Sequence, residues 1–245
     1  MSRSASDPEQ VARQRTAALA VWRADVETRP GGAWTDLGGL QLHATGLPPV
    51  YWNGAHLYDA SGLERLGEAT PWFADRGVSW GLLVPAELGL APPGFAPVVD
   101  QAVMLRDLLA LPALPDVRLD WEATVDEVAF LQATVFDTAL PLATQFVGPK
   151  LIDGPCSVVV ARVDGLAVAT ATGVLLDGVV GVYGVGTLVP ARRQGLGRAV
   201  TLAVLHRARD EGADLAFLNP SELGYAVYRS LGFDDAPPWQ IWTPT

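Results

Sequence analysis

The chain has 245 residues, 49% of them hydrophobic, and a formal net charge of −10 at pH 7. This length and apolar content suffice for one large domain or two small ones with buried cores. The charge argues against nucleic acid as the main partner, because phosphates would be repelled. The single cysteine excludes an intrachain disulfide, and the three scattered histidines form no metal-ligand pattern with it.

The N-terminal segment 1–24 carries charges throughout and lacks the apolar core of a signal peptide. The apolar stretch 156–190 is interrupted by Arg162, Asp164 and Asp177. Its Val, Thr and Gly content is typical of buried strands rather than of a membrane helix. We therefore expect a cytoplasmic protein without membrane partners. The sequence leaves the oligomeric state open, a homodimer included.

The first half predicts, in chain order, an amphipathic helix over 7–26 and two short strands around a Pro-Pro break within 39–59. A helix follows from its capping residue Ser61 to Gly77, and an extended segment covers 100–108. The proline-rich stretch 110–117 is the best candidate for a linker.

The second half predicts a strand over 117–121 and then one or two helices over 122–151, broken near Pro141. Three strands follow, joined by Asp-Gly turns at 164–165 and 177–178. The remaining elements are a helix closed by Gly212, a strand, a helix and a last strand; their ranges are 193–212, 214–219, 220–232 and 239–244.

Residues 75–90 and 210–225 align without a gap and share an Asp, a Gly, a Pro and a Glu-Leu-Gly motif. Both windows also predict the same helix-strand-helix order. We interpret this repeat as a decayed duplication of half a domain. The predicted organisation is an N-terminal domain over 1–115 and a mixed α/β domain with a mostly antiparallel sheet over 116–245.

A glycine-rich turn over 192–198, RRQGLGR, stands between a predicted strand and a helix. Because glycine has no side chain, the two glycines leave the backbone N–H groups in the first turn of the following helix open to an anion such as a phosphate. A surface turn with solvated arginines is the alternative. No Gly-Lys-Ser/Thr follows, which excludes a nucleotide P-loop. Val200 stands where the dinucleotide fingerprint needs its third glycine.

The pattern R-x-x-G-x-G of residues 192–197 resembles the acetyl-CoA pyrophosphate loop of the GNAT superfamily of N-acetyltransferases. The preceding strand, VYGVGTLV, resembles that family's splayed central strand, and Tyr228 in Y-x-x-x-G-F resembles its C-terminal signature. The resemblance covers residues 116–245. It implies a GNAT-like sheet flanked by helices, with a degenerate half-repeat of the same architecture, without a cofactor loop, at the N-terminus.

The resemblance also implies acetyl-CoA as cosubstrate, no metal, and a small-molecule amine as acceptor. The amine would attack the thioester directly, Tyr228 would protonate the departing thiolate, and the N–H of Val185 or its neighbour would polarise the carbonyl. The residues implied to contact the cofactor are Val185, Gly186, Thr187, Arg192, Arg193, Gln194, Gly195, Leu196, Gly197, Arg198 and Ser221.

The helix over 220–232 contains Gly224, which costs a helix roughly 1 kcal/mol relative to Ala. At about 100° per residue, Leu223, Val227 and Leu231 share the stripe predicted to face the sheet. A different face holds Ser221, Gly224, Tyr225 and Tyr228. We therefore expect Gly224 to make room for the thioester near Tyr228. A half-buried tyrosine that only packs is the alternative.

The family's usual positions for a carboxylate base hold Gly181 and Ala216 here. Deprotonating an alkyl aminium at neutral pH costs roughly 4–5 kcal/mol, so such a substrate needs a proton acceptor. Tyr183, Glu222, Asp137 or a chain of waters could serve. Otherwise the acceptor is an amine of low pKa.

The first half has HLYDASG where the arginine-glycine loop would stand, so that Asp59 would face any phosphate, and Pro92-Pro93 interrupts the counterpart of the last helix. We expect this half to bind no CoA. Cys156 has no histidine nearby and is not read as a nucleophile. The missing base leaves two alternatives to an acyltransferase: a noncatalytic acyl-CoA-binding or interaction module, and a scaffold that binds no CoA.

Overall fold

The computed structural model describes residues 4–245, except for the side chain of Asp153. Its helices are α1 (Pro8–Glu27), α2 (Leu66–Ala74), α3 (Val125–Val135), α4 (Leu140–Asp153), α5 (Leu196–Asp210) and α6 (Glu222–Ser230). Its strands are β1 (Ala33–Asp36), β2 (Leu40–Ala44), β3 (Asn53–Leu57), β4 (Gly81–Pro85), β5 (Phe95–Asp107), β6 (Leu119–Asp120), β7 (Cys156–Val163), β8 (Leu166–Leu176), β9 (Val179–Thr187), β10 (Leu215–Leu218) and β11 (Asp234–Pro244).

Most predicted elements are confirmed within a few residues, and β1 was not predicted. The long helical stretch after residue 122 is two helices, α3 and α4. Pro141 lies in the first turn of α4, where proline is tolerated because the N–H groups there have no helical partner. The break therefore precedes Pro141.

The predicted helix cap at Ser61 is wrong. A 3₁₀ turn over Ala60–Arg65 leads into α2, and its cap is Asp59, whose carboxylate accepts hydrogen bonds from the N–H and the hydroxyl of Ser61. The carboxylate is the better cap here because one Asp59 oxygen satisfies both donors of the next-but-one residue.

The two predicted Asp-Gly turns are confirmed by their backbone angles. The φ angles are 49° at Asp164 and 82° at Gly165, and 48° at Asp177 and 76° at Gly178. Two successive positive φ values define the two-residue hairpin turn that matches the twist of its strands. These turns join β7, β8 and β9 into an antiparallel meander.

The chain divides into two compact units. We call Met104–Asp235, with the described residues up to Ala17, the C-terminal unit. We call Ala18–Val103 with Ala236–Thr245 the N-terminal unit. These units do not follow the predicted boundary at residue 115, because residues 104–115 belong to the C-terminal unit and residues 236–245 to the N-terminal one. That each half is a GNAT-like domain of its own stays a prediction.

The C-terminal unit contains the strand order β5-β10-β9-β8-β7-β6, to which β5 contributes its last residues, 104–107. All pairs are antiparallel except β9 with β10, which is parallel. The sheet is covered on both faces. In β7, Val159 belongs to the core cluster under α5, whereas Val158 and Val160 belong to the cluster with α3 and α4.

The N-terminal unit contains the strand order β1-β2-β3-β4-β11. Its pairs are antiparallel except β3 with β4, which is parallel. This is the same succession of pairings as in β7-β8-β9-β10-β5 of the other unit. The match supports the predicted half-repeat. Each unit takes its fifth strand from the other half of the sequence, since residues 104–107 precede β6 and β11 follows α6.

Among residues 4–245, no helix is both long enough and apolar enough to span a membrane. Among the same residues, no three His, Cys, Asp or Glu side chains are grouped so that they could hold a metal ion.

Candidate functional site

The glycine-rich turn connects β9 to α5 and leaves its backbone donors open. Its backbone turns through left-handed conformations at Arg193 (φ 66°) and at Gly195 (φ 76°), the N-cap of α5. Within the described residues, none of the backbone N–H groups of residues 193–198 donates a hydrogen bond. Six consecutive free donors at the positive end of a 15-residue helix make a site for an anion.

Three arginines, Arg192, Arg193 and Arg198, belong to this turn. The Nε of Arg192 donates to the carbonyl oxygen of Thr187 at 3.1 Å, and Arg198 donates to the carbonyl and hydroxyl oxygens of Ser230. The exposed side chain of Arg193 makes no ion pair or hydrogen bond within the described chain. None of the three is neutralised by a carboxylate there, so the turn is a local positive region in an acidic protein.

The central strand β9 continues without β10 beside it over the stretch where the resemblance implies that Val185, Gly186 and Thr187 contact the cofactor. The parallel ladder ends at the pair Phe217 and Gly181, although β9 continues to Thr187. On its other side, the ladder with β8 passes from Tyr183 to Gly186 with a register shift, so Gly184 and Val185 stand outside it. Gly184 has a φ of 57°, as expected for a bulge.

The predicted cofactor contacts of the strand and the turn lie side by side. A β-carbon on Gly197 would lie 3.4 Å from Oγ1 of Thr187, and Arg192 bonds the same residue. The helix with Tyr228 joins this group, since Tyr228 shares a core cluster with Leu196 and Arg198 bonds Ser230. Ser221 caps α6 by accepting a hydrogen bond from the N–H of Gly224, so its cofactor contact stays a prediction.

The predicted orientation of α6 is confirmed for Val227 and Leu231, which pack on the core, and is wrong for Leu223 and Tyr228. The side chain of Leu223 is 85% exposed, whereas Tyr228 is 8% exposed and Leu231 is fully buried. The inward stripe therefore runs through Gly224, Tyr228 and Leu231, at spacings of four and three residues. Leu223 lies outside this stripe because the bulkier ring of Tyr228 takes the inward position.

The expectation that Gly224 makes room for the thioester is also wrong. A β-carbon on residue 224 would lie 2.8 Å from Cε2 and 3.4 Å from Cζ of Tyr228. The room that the glycine leaves is filled by the ring of Tyr228 itself, which points back toward the helix N-terminus, as long helical side chains do. The weakened helix thus holds a buried tyrosine in place.

The hydroxyl of Tyr228 makes no hydrogen bond within residues 4–245, and the ring packs edge-on against Phe233. Burial raises the pKa of Tyr228 from 10.0 to about 12. The side chain is therefore a neutral phenol at physiological pH, with a donor that has no protein partner. A ligand atom could accept a hydrogen bond from this hydroxyl. A group that is to protonate a substrate must be protonated and free to bond it in this way.

The candidate bases are spread over three elements. Tyr183 is half-buried on β9, Glu222 is exposed in the first turn of α6, and Asp137 is exposed between α3 and α4. Asp137 has a φ of 50°, a left-handed conformation that Asp tolerates better than most residues. Of the two positions without a carboxylate, Ala216 is fully buried and Gly181 is buried.

Gln132 of α3 is a polar residue at the site that the sequence analysis did not single out. A β-carbon on Gly184 would lie 2.5 Å from its Nε2, and its carboxamide makes no hydrogen bond within the described chain. The signal was present in the pattern. Gln132 stands at a core-facing position of α3, four residues after Val128 and three before Val135, where an apolar residue is expected.

In the N-terminal unit, the turn that corresponds to residues 192–198 already has a negative charge of its own on Asp59. The carboxylate of Asp59 accepts from the Ser61 N–H at the start of the 3₁₀ turn. It also accepts from the Ser61 hydroxyl, and these two hydrogen bonds, the one from the hydroxyl above all, hold the pKa of Asp59 below its ordinary value. A phosphate approaching this turn would meet a fixed negative charge.

The sequence family described as "Probable histone acetyltransferase Rv0428c C-terminal" matches residues 20–236. No curated protein matches the chain. Among solved structures, a GCN5-related N-acetyltransferase from Kribbella flavida is 22% identical, with a TM-score of 0.72, over 93% of this chain and 94% of that one. A GCN5-related N-acetyltransferase from Sphaerobacter thermophilus is 19% identical, with a TM-score of 0.59, over 85% and 81%.

A tandem GNAT protein from the clavulanic acid biosynthesis pathway, solved without AcCoA, is 16% identical with a TM-score of 0.58. The match covers all of this chain and 98% of that one. These likenesses confirm the predicted fold, a mixed and mostly antiparallel sheet flanked by helices. The tandem relative also fits an architecture of two similar halves.

Proposed function

The chain belongs to the acetyltransferase family described as "Probable histone acetyltransferase Rv0428c C-terminal", and from this premise we propose that it transfers the acetyl group of acetyl-CoA to the nitrogen of a small amine. It is an N-acetyltransferase of the GNAT type. The proposal adds the donor, the acceptor class and a direct attack without a covalent enzyme intermediate. Cys156 is only partly buried at the start of β7 and has no part in it.

The turn over 192–198 would hold the pyrophosphate of acetyl-CoA. Its six free N–H groups and three guanidinium groups fit two adjacent phosphates, which need several donors and positive charge. The open edge of β9 beyond Gly181 would hold the pantetheine arm by backbone hydrogen bonds, as an extra strand pairs with a sheet edge. Val185, Gly186 and Thr187 lie on this stretch.

The acceptor nitrogen attacks the thioester carbonyl carbon, and the carbon–sulfur bond breaks. Negative charge develops on the carbonyl oxygen, where a backbone N–H donor is worth most. Val185 stands outside the ladder with β8, so its N–H is the candidate for this donor. Removing one such donor typically costs about 10²–10³-fold in rate.

The departing thiolate needs a proton, and Tyr228 is the candidate donor. Its hydroxyl is protonated at neutral pH and has no hydrogen-bond partner in the described chain. It would hydrogen-bond the leaving sulfur and give its proton to the thiolate. The proton that the new amide nitrogen loses would pass to solvent water, and solvent would return one to the Tyr228 phenolate, so that the protons balance. The high pKa keeps the donor loaded throughout the physiological range.

One observation carries the proposal. The C-terminal unit holds both an anion site, at the turn between β9 and α5, and a buried phenol without a hydrogen-bond partner, Tyr228 of α6, the helix that follows β10. The experiment is calorimetric titration with acetyl-CoA, followed by turnover assays over a panel of amines. The panel includes a histone-tail peptide because the family description names histones.

Binding in the absence of turnover of any amine would favour the alternative, a noncatalytic acyl-CoA-binding module. A flat titration with acetyl-CoA would refute both.

A further inference from the structure

The space that a side chain at residue 181 would need is filled by two aromatic residues. A β-carbon there would lie 2.5 Å from Cε2 and 2.8 Å from the hydroxyl oxygen of Tyr183, and 2.9 Å from Cζ of Phe217. Phe217 is the register partner of Gly181 on β10, and the two rings meet edge to face with centroids 6.0 Å apart. Residue 181 is therefore glycine because Tyr183 folds over it.

A carboxylate at this position would have received a proton from the acceptor amine. Here the place is occupied by a phenol hydroxyl and a hydrocarbon ring instead. A phenol is protonated at neutral pH and accepts a hydrogen bond, but it does not take up a proton from an aminium. The half-buried ring of Tyr183 would attract an aminium by cation–π contact. That cation would stay unreactive because its lone pair is bound to a proton.

The next side chain beside β9, Gln132 of α3, is also neutral. The carboxamide of Gln132 lies against Gly184, the residue after Tyr183, and makes no hydrogen bond in the described chain. Val135, one turn further along α3, packs on Gly186 of the same strand. Two side chains that donate and accept hydrogen bonds without carrying charge thus stand along β9 beside the bulge.

We propose, on the basis of the proposed acetyl transfer, that the acceptor is an amine already uncharged at neutral pH, an aromatic amine being the class that fits best, and that Tyr183 positions its nitrogen. The half-buried ring of Tyr183, which packs edge to face on the buried Phe217, offers an apolar surface to the acceptor ring. The Tyr183 hydroxyl accepts a hydrogen bond from the nitrogen, whose lone pair remains free for attack. No proton has to be removed before the bond to carbon forms.

Two isomeric amines, 4-methylaniline and benzylamine, test this inference. They have the same atoms, but conjugation makes the nitrogen of the first far less basic. We expect kcat/KM for 4-methylaniline to be flat between about pH 6 and 9 and to exceed that for benzylamine by about 10-fold or more at pH 7. For benzylamine it should rise about 10-fold per pH unit, following the free amine.

The Tyr183→Phe variant keeps the ring and removes the hydroxyl. We expect kcat/KM for 4-methylaniline to fall about 3- to 10-fold, mainly through KM, with acetyl-CoA affinity unchanged. Tyr225→Phe is the matched control, since the Tyr225 hydroxyl bonds the exposed Asp235.

The inference is overturned if benzylamine is acetylated faster at pH 7 with a profile that levels off near neutral pH, because that profile reveals a base on the enzyme. In that case the proposed acetyl transfer stands. It is also overturned if Tyr183→Phe acts no more strongly than the control. If acetyl-CoA binds and neither amine is acetylated, the inference fails while the acyl-CoA site remains. A protein that binds no acetyl-CoA refutes the proposed function as well.

Discussion

Replacing Gly195 with glutamate should weaken acetyl-CoA binding far more than replacing it with alanine. Gly195 has a φ of 76°, and apart from its chain neighbours no heavy atom lies within 4 Å of the place a β-carbon would take. Both substitutions therefore carry the same backbone strain, about 1–2 kcal/mol for an L-residue in the left-handed region. Neither meets a steric obstacle, so only the charge distinguishes them.

The size of the charge effect follows from the exposure of the turn. Two unit charges 4 Å apart repel each other by about 1 kcal/mol in bulk water and about 4 kcal/mol near a protein surface. A pyrophosphate carries at least two charges, so even the weaker value gives about 2 kcal/mol, or roughly a 30-fold rise in Kd. Alanine adds no charge and removes no N–H donor, so its Kd should rise by less than about 3-fold.

Isothermal titration with acetyl-CoA measures both affinities. Thermal unfolding of the two unliganded variants checks that they are destabilised equally, as equal strain requires. If the glutamate and alanine variants bind acetyl-CoA equally well, the pyrophosphate does not lie on the N–H groups of residues 194–197. That reasoning would then be refuted, even if both variants bind more weakly than the native chain.

Three further predictions concern the buried tyrosine and the N-terminal unit. Tyr228→Phe should lower turnover by about 10²–10⁴-fold with acetyl-CoA affinity nearly intact, while Tyr225→Phe should do much less; full turnover in the Tyr228 variant would return this residue to a packing role. Because burial raises the pKa of Tyr228 from 10.0 to about 12, folding favours the neutral phenol, and its contribution is present below pH 10 and lost as the pH rises to about 12. Denaturant titrations should thus show the native chain losing about 2–3 kcal/mol more than Tyr228→Phe over that window, and parallel losses would contradict the burial. Acetyl-CoA should saturate at one equivalent per chain, because Asp59 occupies the donors of the corresponding turn; two equivalents would show that this turn also binds.

The elements of the C-terminal unit could be predicted because local signals mark them. Asp-Gly at 164–165 and 177–178 fixes two hairpin turns, since both residues tolerate a positive φ. The turn over 192–198 carries its own signal as well, because two glycines and three arginines between a strand and a helix are typical of an anion-binding site at a helix N-terminus. The free donors there agree with that prediction.

The rotation of α6 about its axis could not be predicted from the same kind of pattern. Two stripes overlap in this helix, one through Leu223 and Val227 and one through Gly224 and Tyr228, and both end at Leu231. Periodicity alone ranks the more apolar stripe first. The choice is made by packing, since the ring of Tyr228 fits inward only above a residue without a side chain.

Sequence patterns also could not show that β5 pairs with β10 and that β11 pairs with β4. Alternation along a strand shows which face is buried, but it does not name the neighbouring strand. The cover of residue 181 by Tyr183 is a similar case, because it depends on the rotamer of a side chain two residues away.

The exchanged fifth strands have a consequence for biosynthesis. Strand β4 pairs with β11 from Trp239↔Pro85 to Trp242↔Leu82, and these partners are 154 to 160 positions apart in the chain. Domains are generally completed from the N-terminus onward as the ribosome extends the chain. Here the edge of β4 stays open until residues 239–242 have emerged, and an open edge is a template for pairing with another chain. A nascent or C-terminally clipped molecule therefore carries an aggregation hazard that the finished protein has removed.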